Sequence, residues 1–573
     1  MRGNCPSVHE TGSIRKKWTN RLPVALLFPN VYRLGMSNLG MQLVYRLVNE
    51  HPDIVCERFF LPDSPVSPRS VESSRPLSDF PVLLCAVSFE QDYVNLIRLL
   101  VAGDIAPFAA ERDRAGEIQP GNPLIIAGGV ATFINPEPLA PYVDMFLLGE
   151  AEPLIGALLE RLLVLQDDIF PGREELLAGL AKNVGSCYVP RFYEMRRGDD
   201  GRIKTISVQE GIPNRVRKAT LSDCTTAGHS ALLTPDTEFS DLFLVELGRG
   251  CSRGCRFCAA GFVYRPPRLW KAESIGAALA EKNDGVTRVG LLGMEMARPD
   301  ELARLAETLI NSSCSLSFSS LRADALSPEL VSLLKASGLK TAAIAPDGGS
   351  ERLRRVINKG LDEQDVLHAA ELLVAAGVTN LKLYFMVGLP TETDDDLKEL
   401  ADFTFRIRDK IAVVGRARGR LANLTVSLNC FVPKAWTPFQ YAEFAGVSVL
   451  KKKIQYLRGR FSGQANLQMN VDKPDNAFFQ AVLARGDRRV GELLVRLASS
   501  EKNWRHLFRR YGVEPEEYTR ARERDEVFPW DVVDHGVRRD YLWAEYGRAL
   551  AGKKTAPCDT LKCSRCGVCN GKE

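Results

Sequence analysis

The sequence lacks any long run of apolar residues. None of its hydrophobic segments approaches the roughly 18–20 residues that cross a bilayer, and its basic N-terminus is not followed by the apolar stretch of a secretory signal. These absences argue against a membrane-spanning or secreted protein. We therefore expect a cytoplasmic location and no membrane partner.

The chain also lacks the evenly spread cysteines of a disulfide framework. Its 14 cysteines include two tight clusters, and such clusters in a large cytoplasmic chain favour metal binding. The net charge of +4 is mildly basic, so it permits an anionic partner such as RNA without indicating one. The clustered cysteines are Cys251, Cys255 and Cys258, followed by Cys558, Cys563, Cys566 and Cys569.

The length of 573 residues predicts several domains, with an α/β fold over residues 22–165 and 241–445. Residues 22–165 alternate apolar runs (24–29, 82–88, 124–129 and 144–150) with helical patterns, which predicts a doubly wound, Rossmann-like sheet. Residues 241–445 contain six strand candidates separated by helices, which predicts a full or partial βα (TIM-like) barrel. The remaining segments are an N-terminal extension (1–21), a bridging region (166–240), a helical region (446–550) and a cysteine-rich tail (551–573).

The first cysteine cluster stands in a glycine-rich loop directly after a predicted strand. In LFLVELGRGCSRGCRFC, three residues separate Cys251 from Cys255 and two separate Cys255 from Cys258. Three thiolates can bind three irons of a [4Fe-4S] cubane and leave the fourth iron open. Zinc would normally need a fourth ligand, and no other cysteine or histidine is nearby. We expect positive charge to offset the anionic thiolates, from Arg249, Arg253 and Arg256.

This stretch resembles the radical S-adenosylmethionine (radical SAM) superfamily, in which three such cysteines bind a [4Fe-4S] cluster. Phe257 takes the place of the aromatic residue that precedes the last cysteine in that family. The resemblance implies that the open iron binds the amino and carboxylate groups of SAM. It also implies that an electron from the cluster cleaves SAM to a 5′-deoxyadenosyl radical, while the protein positions the cofactor.

Further motifs follow in the order of the family. They are GME (293–295), SSLRAD (319–324), APDGGSERLRRVINKG (345–360) and GLPTET (388–393), and they resemble the branch with the tRNA methylthiotransferases and Elongator-type proteins. The resemblance implies contacts with the SAM amino group, carboxylate and adenine, although each motif also suits a turn at the barrel rim. It implies Gly293 and Glu295 for the amino group and Arg322 for the carboxylate. It implies Gly388 and Pro390 for the adenine. Methylthiotransferases carry a second three-cysteine cluster near their N-terminus, and its absence here counts against methylthiotransfer.

Residues 22–165 resemble the cobalamin-binding domain that often precedes a radical SAM core. Ser88, Gly128 and Gly129 match the strand end and the turn that cradle the corrinoid nucleotide tail in that family. No Asp-x-His-x-x-Gly motif is present, and His51 is the single histidine of the span, so a lower histidine ligand to cobalt is not expected. The domain could equally keep the fold and bind nothing.

The second cysteine cluster, CDTLKCSRCGVC, offers four thiolates within twelve residues. Such a set predicts a closed metal site. A zinc ion would crosslink the tail. An Fe-S cluster would transfer electrons or anchor a substrate. In the third alternative the tail binds no metal. The spacing resembles ferredoxin runs as much as zinc knuckles, so the metal stays open.

Three functional interpretations follow from these motifs. The first is a radical SAM enzyme that uses cobalamin for methyl transfer or a related bond formation. The second is a cobalamin-free radical SAM enzyme that modifies RNA or protein. The third is a non-catalytic Fe-S or zinc protein that binds RNA or assembles complexes. Both enzymatic interpretations require a one-electron reductant of the flavodoxin or ferredoxin type, and no motif identifies the substrate.

Overall fold

The computed structural model describes residues 9–63, 66–166, 172–238, 240–293, 314–318, 321–499 and 503–569. No helix within these ranges combines the length and the apolar character that a bilayer crossing demands. Two parallel-sheet regions follow one another along the chain, and the C-terminal helices pack against both of them.

A six-stranded sheet forms the N-terminal region, with β1 Leu22–Phe28, β2 Ile54–Phe60, β3 Val82–Ala86, β4 Leu124–Gly128, β5 Met145–Leu147 and β6 Cys187–Tyr188. The strand order is β2-β1-β3-β4-β5-β6, and all neighbours are parallel except β5 and β6. This order reverses between β1 and β3, which is where doubly wound sheets open a ligand crevice at the carboxyl ends of the strands. The predicted doubly wound fold is confirmed.

Strand β2 is missing from the strands that the sequence predicts. Every residue of Ile54–Phe60 is buried, although the strand carries Glu57 and Arg58 at its centre. The Arg58 guanidinium lies 2.6 Å from a carboxylate oxygen of Glu72 and 2.6 Å from one of Glu10. A buried charge needs partners of this kind. Because the strand contains charged residues, its sequence does not form the apolar run by which buried strands are predicted.

Helices cover the N-terminal sheet. The one that follows β1 begins at Asn38, whose side chain accepts a hydrogen bond from the Met41 amide, and it buries Met41, Tyr45 and Val48 against the sheet. The helices of this region are Tyr32–Gly35, Leu39–Glu50, Asp92–Ala102, Ala109–Arg114, Val130–Ile134, Glu152–Leu162 and Arg173–Asn183.

The bridging region contains a hairpin, β7 Tyr193–Arg197 paired antiparallel with β8 Ile203–Val208. Beyond the hairpin, β9 Val216–Arg217 pairs in parallel with a strand from the far end of the chain, Val533–Asp534. The bridging region therefore connects the N-terminal sheet with the C-terminal region as well as with the barrel.

The central region is a partial βα barrel made of two parallel sheets. The first contains β10 Phe243–Glu246, β13 Arg288–Leu292 and β14 Ser315–Phe318, and the second contains β15 Thr341–Asp347, β16 Asn380–Val387, β17 Asn423–Cys430 and β18 Leu467–Val471. An isolated parallel bridge between Leu321 and Ile344 links them. All six predicted strands are present. The seventh, β18, lies in the region predicted to be helical, because its alternating half-exposed residues form no apolar run.

Short antiparallel strands β11 Gly248–Arg249 and β12 Arg268–Leu269 bracket the cysteine motif. The last strand of the chain, β19, is the Val533–Asp534 partner of β9. The helices of the central and C-terminal regions are Ala260–Val263, Ala272–Ala280, Pro328–Ala336, Glu351–Val356, Glu363–Ala376, Asp394–Ala417, Val447–Phe461, Pro474–Arg485, Arg488–Glu492, Leu494–Ser499, Trp504–Arg510, Pro515–Thr519 and Arg539–Leu550.

The C-terminal region contacts the N-terminal sheet through buried polar groups. Arg488 pairs with Glu137 at 2.8 Å, and the Asn135 amide donates to the Gly486 carbonyl at 2.8 Å. His535 has no exposed surface, and its Nε2 lies 2.7 Å from the Phe133 carbonyl oxygen. These contacts join the C-terminal region to the N-terminal region.

We expect acid to weaken the fold through His535. Burial, with the nearby Lys218 charge, lowers the pKa of His535 to about 3, whereas an unfolded histidine has a pKa of roughly 6.5. Between these values the unfolded state binds one proton more, so the free energy of unfolding falls by about 1.4 kcal/mol for each pH unit of acidification.

The comparison uses His535→Gln, which keeps a donor for Phe133 but does not titrate. Between pH 6.5 and 5, the free energy of unfolding should fall by about 1.5–2 kcal/mol less in this variant than in the wild type. Denaturant titration at the two pH values measures both decreases. His506→Gln, at an exposed histidine, is the control. Identical pH dependence in wild type and His535→Gln would contradict the assignment.

Candidate functional site

The cysteine loop begins at the carboxyl end of β10 and turns back tightly on itself. Gly250 has φ +82°, and a side chain there would place its Cβ 2.6 Å from the Tyr264 carbonyl oxygen. Only glycine allows both this left-handed backbone and this close approach. The loop therefore presents Cys251, Cys255 and Cys258 at a strand end, where parallel βα folds place their sites.

The three thiols lie close enough to influence one another electrostatically. Burial, together with the charges of Cys255 and Cys251, raises the pKa of Cys258 to about 12. The Cys258 thiol is therefore protonated in the absence of metal, and iron must displace its proton when it binds. No set of three cysteine, histidine or carboxylate side chains within the described ranges converges on a single ion. A cubane does not require this, because each thiolate binds a different iron.

Each of the three loop arginines pairs with a carboxylate, and their role in offsetting the thiolate charge stays a prediction. Arg253 lies 3.2 Å from Asp324, and Arg256, fully buried, lies 3.1 Å from Glu545. Arg249 pairs with three glutamates, described below. These pairs hold the loop in place, and the charge of Arg253 also acts to lower the pKa of Cys255.

Two further cations lie beside Cys255. Burial raises the pKa of Cys255, and Lys359 and Arg322 oppose that rise through their charge. Lys359 Nζ also lies 2.5 Å from Asp347 Oδ2, at the end of β15, where Asp347 adopts a left-handed φ of +61°. The sequence interpretation assigned no role to Lys359 or Asp347, although both lie in the quoted motif APDGGSERLRRVINKG.

A cavity of about 620 Å³ lies between the N-terminal sheet and the cysteine loop. Its lining is mainly apolar, and it is partly open to solvent. The N-terminal sheet contributes the predicted residues Ser88, Gly128 and Gly129, while Arg249 and Gly293 come from the barrel side. Four of the five are residues that the sequence resemblance had assigned to two different cofactors.

The two glycines of the cavity wall have different structural roles. Gly129 has φ +105°, and a Cβ there would clash with the Val87 carbonyl. At Gly128 an added Cβ would make only ordinary van der Waals contact, with nothing closer than the Leu147 carbonyl oxygen at 3.7 Å. The Ser88 hydroxyl accepts a hydrogen bond from Asn38 Nδ2 at 3.1 Å. Gly129 therefore shapes the turn, and Gly128 leaves room for a ligand.

Arg249 connects the cavity wall to the cysteine loop. Its guanidinium lies 2.6 Å from Glu152, 2.9 Å from Glu246 and 3.1 Å from Glu150. Arg268 adds a second contact to Glu150 at 2.7 Å. Burial alone would raise the pKa of Glu150, but the hydrogen bond and charge of Arg268 and the charge of Arg249 outweigh it and lower the pKa. Glu150 and Glu152 follow β5, so this charged group joins the two sheets.

The four-cysteine tail lies directly against the cysteine loop. The Cys558 amide donates a hydrogen bond to the Ser252 carbonyl at 2.7 Å. Cys566 is buried, and Cys558, Cys563 and Cys569 are half-buried. The two cysteine clusters, about 300 residues apart in sequence, are therefore neighbours in the fold.

Two family models match the chain. The model for the N-terminal part of radical SAM proteins matches residues 40–190, and the model for the radical SAM superfamily matches residues 245–404, which include the cysteine loop. This chain belongs to the radical SAM superfamily. It is therefore an enzyme with a [4Fe-4S] cluster and SAM as cofactors, and it needs a reductant. The non-catalytic interpretation is set aside.

Relatives of this radical SAM enzyme include an uncharacterized protein from Methanocaldococcus jannaschii, 28% identical over 82% of this chain and 90% of the relative. The solved methyltransferase TsrM from Kitasatospora setae, with cobalamin and [4Fe-4S] bound, shares 12% identity over 87% of this chain and 99% of TsrM, with a TM-score of 0.45. The cobalamin-dependent enzyme OxsB, with aqua-cobalamin bound, shares 16% identity over 67% of this chain, with a TM-score of 0.44. This chain spans about half of OxsB, 52%.

The residues predicted to contact SAM lie in several places around the radical SAM loop. Arg322 lies beside Cys255 but also binds Asp324 at 2.7 Å and donates to the Lys359 carbonyl at 2.8 Å. Gly293 lines the cavity. Glu295 lies outside the described residues. A role for Arg322 or Gly293 in SAM binding therefore stays a prediction.

The GLPTET turn lies close to the cysteine loop and shares a hydrophobic cluster with it. The Gly388 amide donates to both carboxylate oxygens of Glu392 at 3.1 Å, and Glu392 pairs with Lys453 at 2.5 Å. Leu389, between Gly388 and Pro390, belongs to the same hydrophobic cluster that Phe257 packs against. The structure thus brings the turn and the loop together, and the predicted contact of Gly388 and Pro390 with adenine remains a prediction.

Proposed function

We propose that this radical SAM enzyme binds a corrinoid in the cavity beside its cysteine loop and catalyses methyl transfer or a related bond formation. The observation that carries the proposal is the shared wall of the cavity. Ser88, Gly128 and Gly129 line it from the N-terminal sheet, and Arg249 and Gly293 line it from the barrel. A ligand held there would meet both halves of the enzyme.

The position of the cavity also supports a nucleotide-tailed ligand. Doubly wound sheets bind ligands at the carboxyl ends of their strands, where the strand order reverses. The cavity lies at that point, with residues after β1 such as Asn38 and residues after β3 such as Ser88 in its wall. No histidine is among the described residues that line it.

The charges around Cys255 suit the carboxylate of SAM. Lys359, Arg322 and Arg253 all act to lower the pKa of Cys255 through their charge, and hydrogen bonds between a cation and a carboxylate are among the strong ones in protein sites. When bound, the cluster and SAM supply the radical chemistry, and a corrinoid would supply a methyl carrier. The protein contributes orientation, charge and an apolar cavity lining that limits water.

Filling the cavity tests the proposal. Gly128→Leu adds a side chain to the cavity wall without a clash at Cβ, so we expect corrinoid binding to fall at least about tenfold by loss of volume, while iron content stays unchanged. The measurements are corrinoid absorbance and iron analysis after anaerobic purification with added cobalamin. Gly156→Leu, on an exposed helix face with no neighbour within 4 Å, is the matched control.

Two results would contradict the corrinoid site. Wild-type enzyme that forms 5′-deoxyadenosine but takes up no corrinoid would favour the cobalamin-free interpretation, in which RNA or protein is the substrate. Equal corrinoid uptake by Gly128→Leu and wild type would place any bound corrinoid elsewhere. We further propose that the reductant is a protein of the flavodoxin or ferredoxin type.

A further inference from the structure

The tail is fixed to the radical SAM loop by hydrogen bonds to loop residues on both sides of Cys255. Asn358 Nδ2 donates to the carbonyls of Arg253 and Gly254, both at 3.3 Å, and to the Thr555 carbonyl at 3.1 Å. The Thr555 amide returns a hydrogen bond to Asn358 Oδ1 at 2.8 Å. One buried asparagine thus binds the loop and the tail at the same time.

Arg256 makes a second connection between loop and tail. Its guanidinium donates to the Lys553 carbonyl at 2.7 Å and to Glu545 at 3.1 Å, and Glu545 accepts from the Thr555 hydroxyl at 2.7 Å. Because Arg256 and Glu545 are buried, separating the tail from the loop would leave buried polar groups without their partners Lys553 and Thr555, which costs free energy. The tail therefore has a defined position next to Cys251 and Cys255.

The four tail thiols lie near one another and near cations. The Cys558 side chain is within hydrogen-bonding reach of Cys563 and Cys569. The Arg265 side chain hydrogen-bonds Cys566, and Arg565 Nε donates to Cys563 Sγ at 3.2 Å. Four thiolates with two guanidinium partners suit an anionic iron-sulfur cluster, whose sulfurs accept hydrogen bonds of this kind.

We propose that Cys558, Cys563, Cys566 and Cys569 hold a second [4Fe-4S] cluster that passes electrons to the cluster at the radical SAM loop. Four protein thiolates occupy all four irons, so such a cluster has no open iron for a substrate and is suited to electron transfer. Zinc would need the thiolates to converge on a single ion, and no such set is found within the described ranges. The backbone hydrogen bond from Cys558 to Ser252 places Cys558 and Cys251 within roughly 10 Å of each other, measured between Cα atoms.

The electron balance of the relay is simple. A one-electron donor of the flavodoxin or ferredoxin type is oxidised and the tail cluster is reduced; the tail cluster is then reoxidised as the loop cluster is reduced. No proton or group moves in this step. The outer face of the tail is open to a protein donor, because Leu561 is 80% exposed and Lys562 and Arg565 are exposed. This proposal rests on the radical SAM assignment and is independent of the corrinoid.

The test uses full-length enzyme reconstituted anaerobically, with Cys563→Ser and Cys566→Ser as tail variants. We expect about eight irons in the wild type and about four in each tail variant. The rate of 5′-deoxyadenosine formation with reduced flavodoxin should fall at least about tenfold in the tail variants, yet stay within about threefold with dithionite, which is small enough to reach the loop directly. Cys224→Ser, at an isolated half-buried cysteine, is the control.

Several results would overturn the relay. They are tail variants that keep all iron, wild-type protein whose tail holds zinc, and tail variants that lose four irons but keep the flavodoxin-driven rate. If the variants do not fold, the wild-type enzyme still tests the proposal. Two reduced clusters this close should broaden each other's electron paramagnetic resonance signals. Uncoupled signals, or the signal of a single cluster, would refute the proposal. Loss of corrinoid binding alone would affect only the function proposed above.

Discussion

Replacing Cys255 with alanine should abolish both the loop cluster and SAM cleavage. The cubane needs three thiolates from this loop, and Cys255 is the most buried of them, with 9% of its surface exposed. Water has little access to replace the missing ligand. We expect the variant to lose about four irons and to form no detectable 5′-deoxyadenosine, as measured by iron analysis and chromatography after anaerobic reconstitution.

The matched control for this prediction is Cys224→Ala, which removes a half-buried cysteine outside both clusters and should keep full iron content and cleavage. The tail serves as an internal reference, because Cys255→Ala leaves its four cysteines intact. A Cys255→Ala enzyme that still cleaves SAM would show that the radical chemistry does not depend on this loop.

Replacing Arg249 with methionine should destabilise the enzyme and reduce cluster occupancy together. Methionine preserves most of the volume but leaves Glu246 and Glu152 without their cation, while Glu150 keeps only Arg268. Breaking a buried ion pair by removing one partner typically costs about 3–5 kcal/mol. Because Arg249 lies two residues before Cys251, the relaxed loop should also bind iron less completely.

The measurements are the free energy of unfolding and the iron content of reconstituted protein. Arg249→Lys keeps the charge but cannot make the forked contacts to three glutamates, so it should fall between Arg249→Met and wild type. Arg196→Met breaks an exposed pair with Glu194 and should change neither quantity appreciably. If Arg249→Met were as stable as Arg196→Met, the charged group would not be joining the two sheets.

Local features of the sequence predicted the elements of the site well. The buried apolar runs predicted six barrel strands and four strands of the N-terminal sheet, all of which the structure contains. The spacing of Cys251, Cys255 and Cys258 and the glycines around them predicted a loop at a strand end, and Gly250 shows why those glycines are needed. Strands β2 and β18 were missed because their charged or half-exposed residues do not form apolar runs.

The amino-acid sequence by itself determined which cysteines could hold a cluster and which glycines could shape a cavity, since these depend on residues close together in the chain. Only the tertiary structure decided which groups meet. It placed Ser88 and Gly128 in one cavity with Gly293, paired Arg256 with Glu545, and set Cys558 against Ser252. Each of these contacts joins residues about 165 to 306 positions apart, and their meeting depends on how whole sheets and helices pack, which no local pattern records.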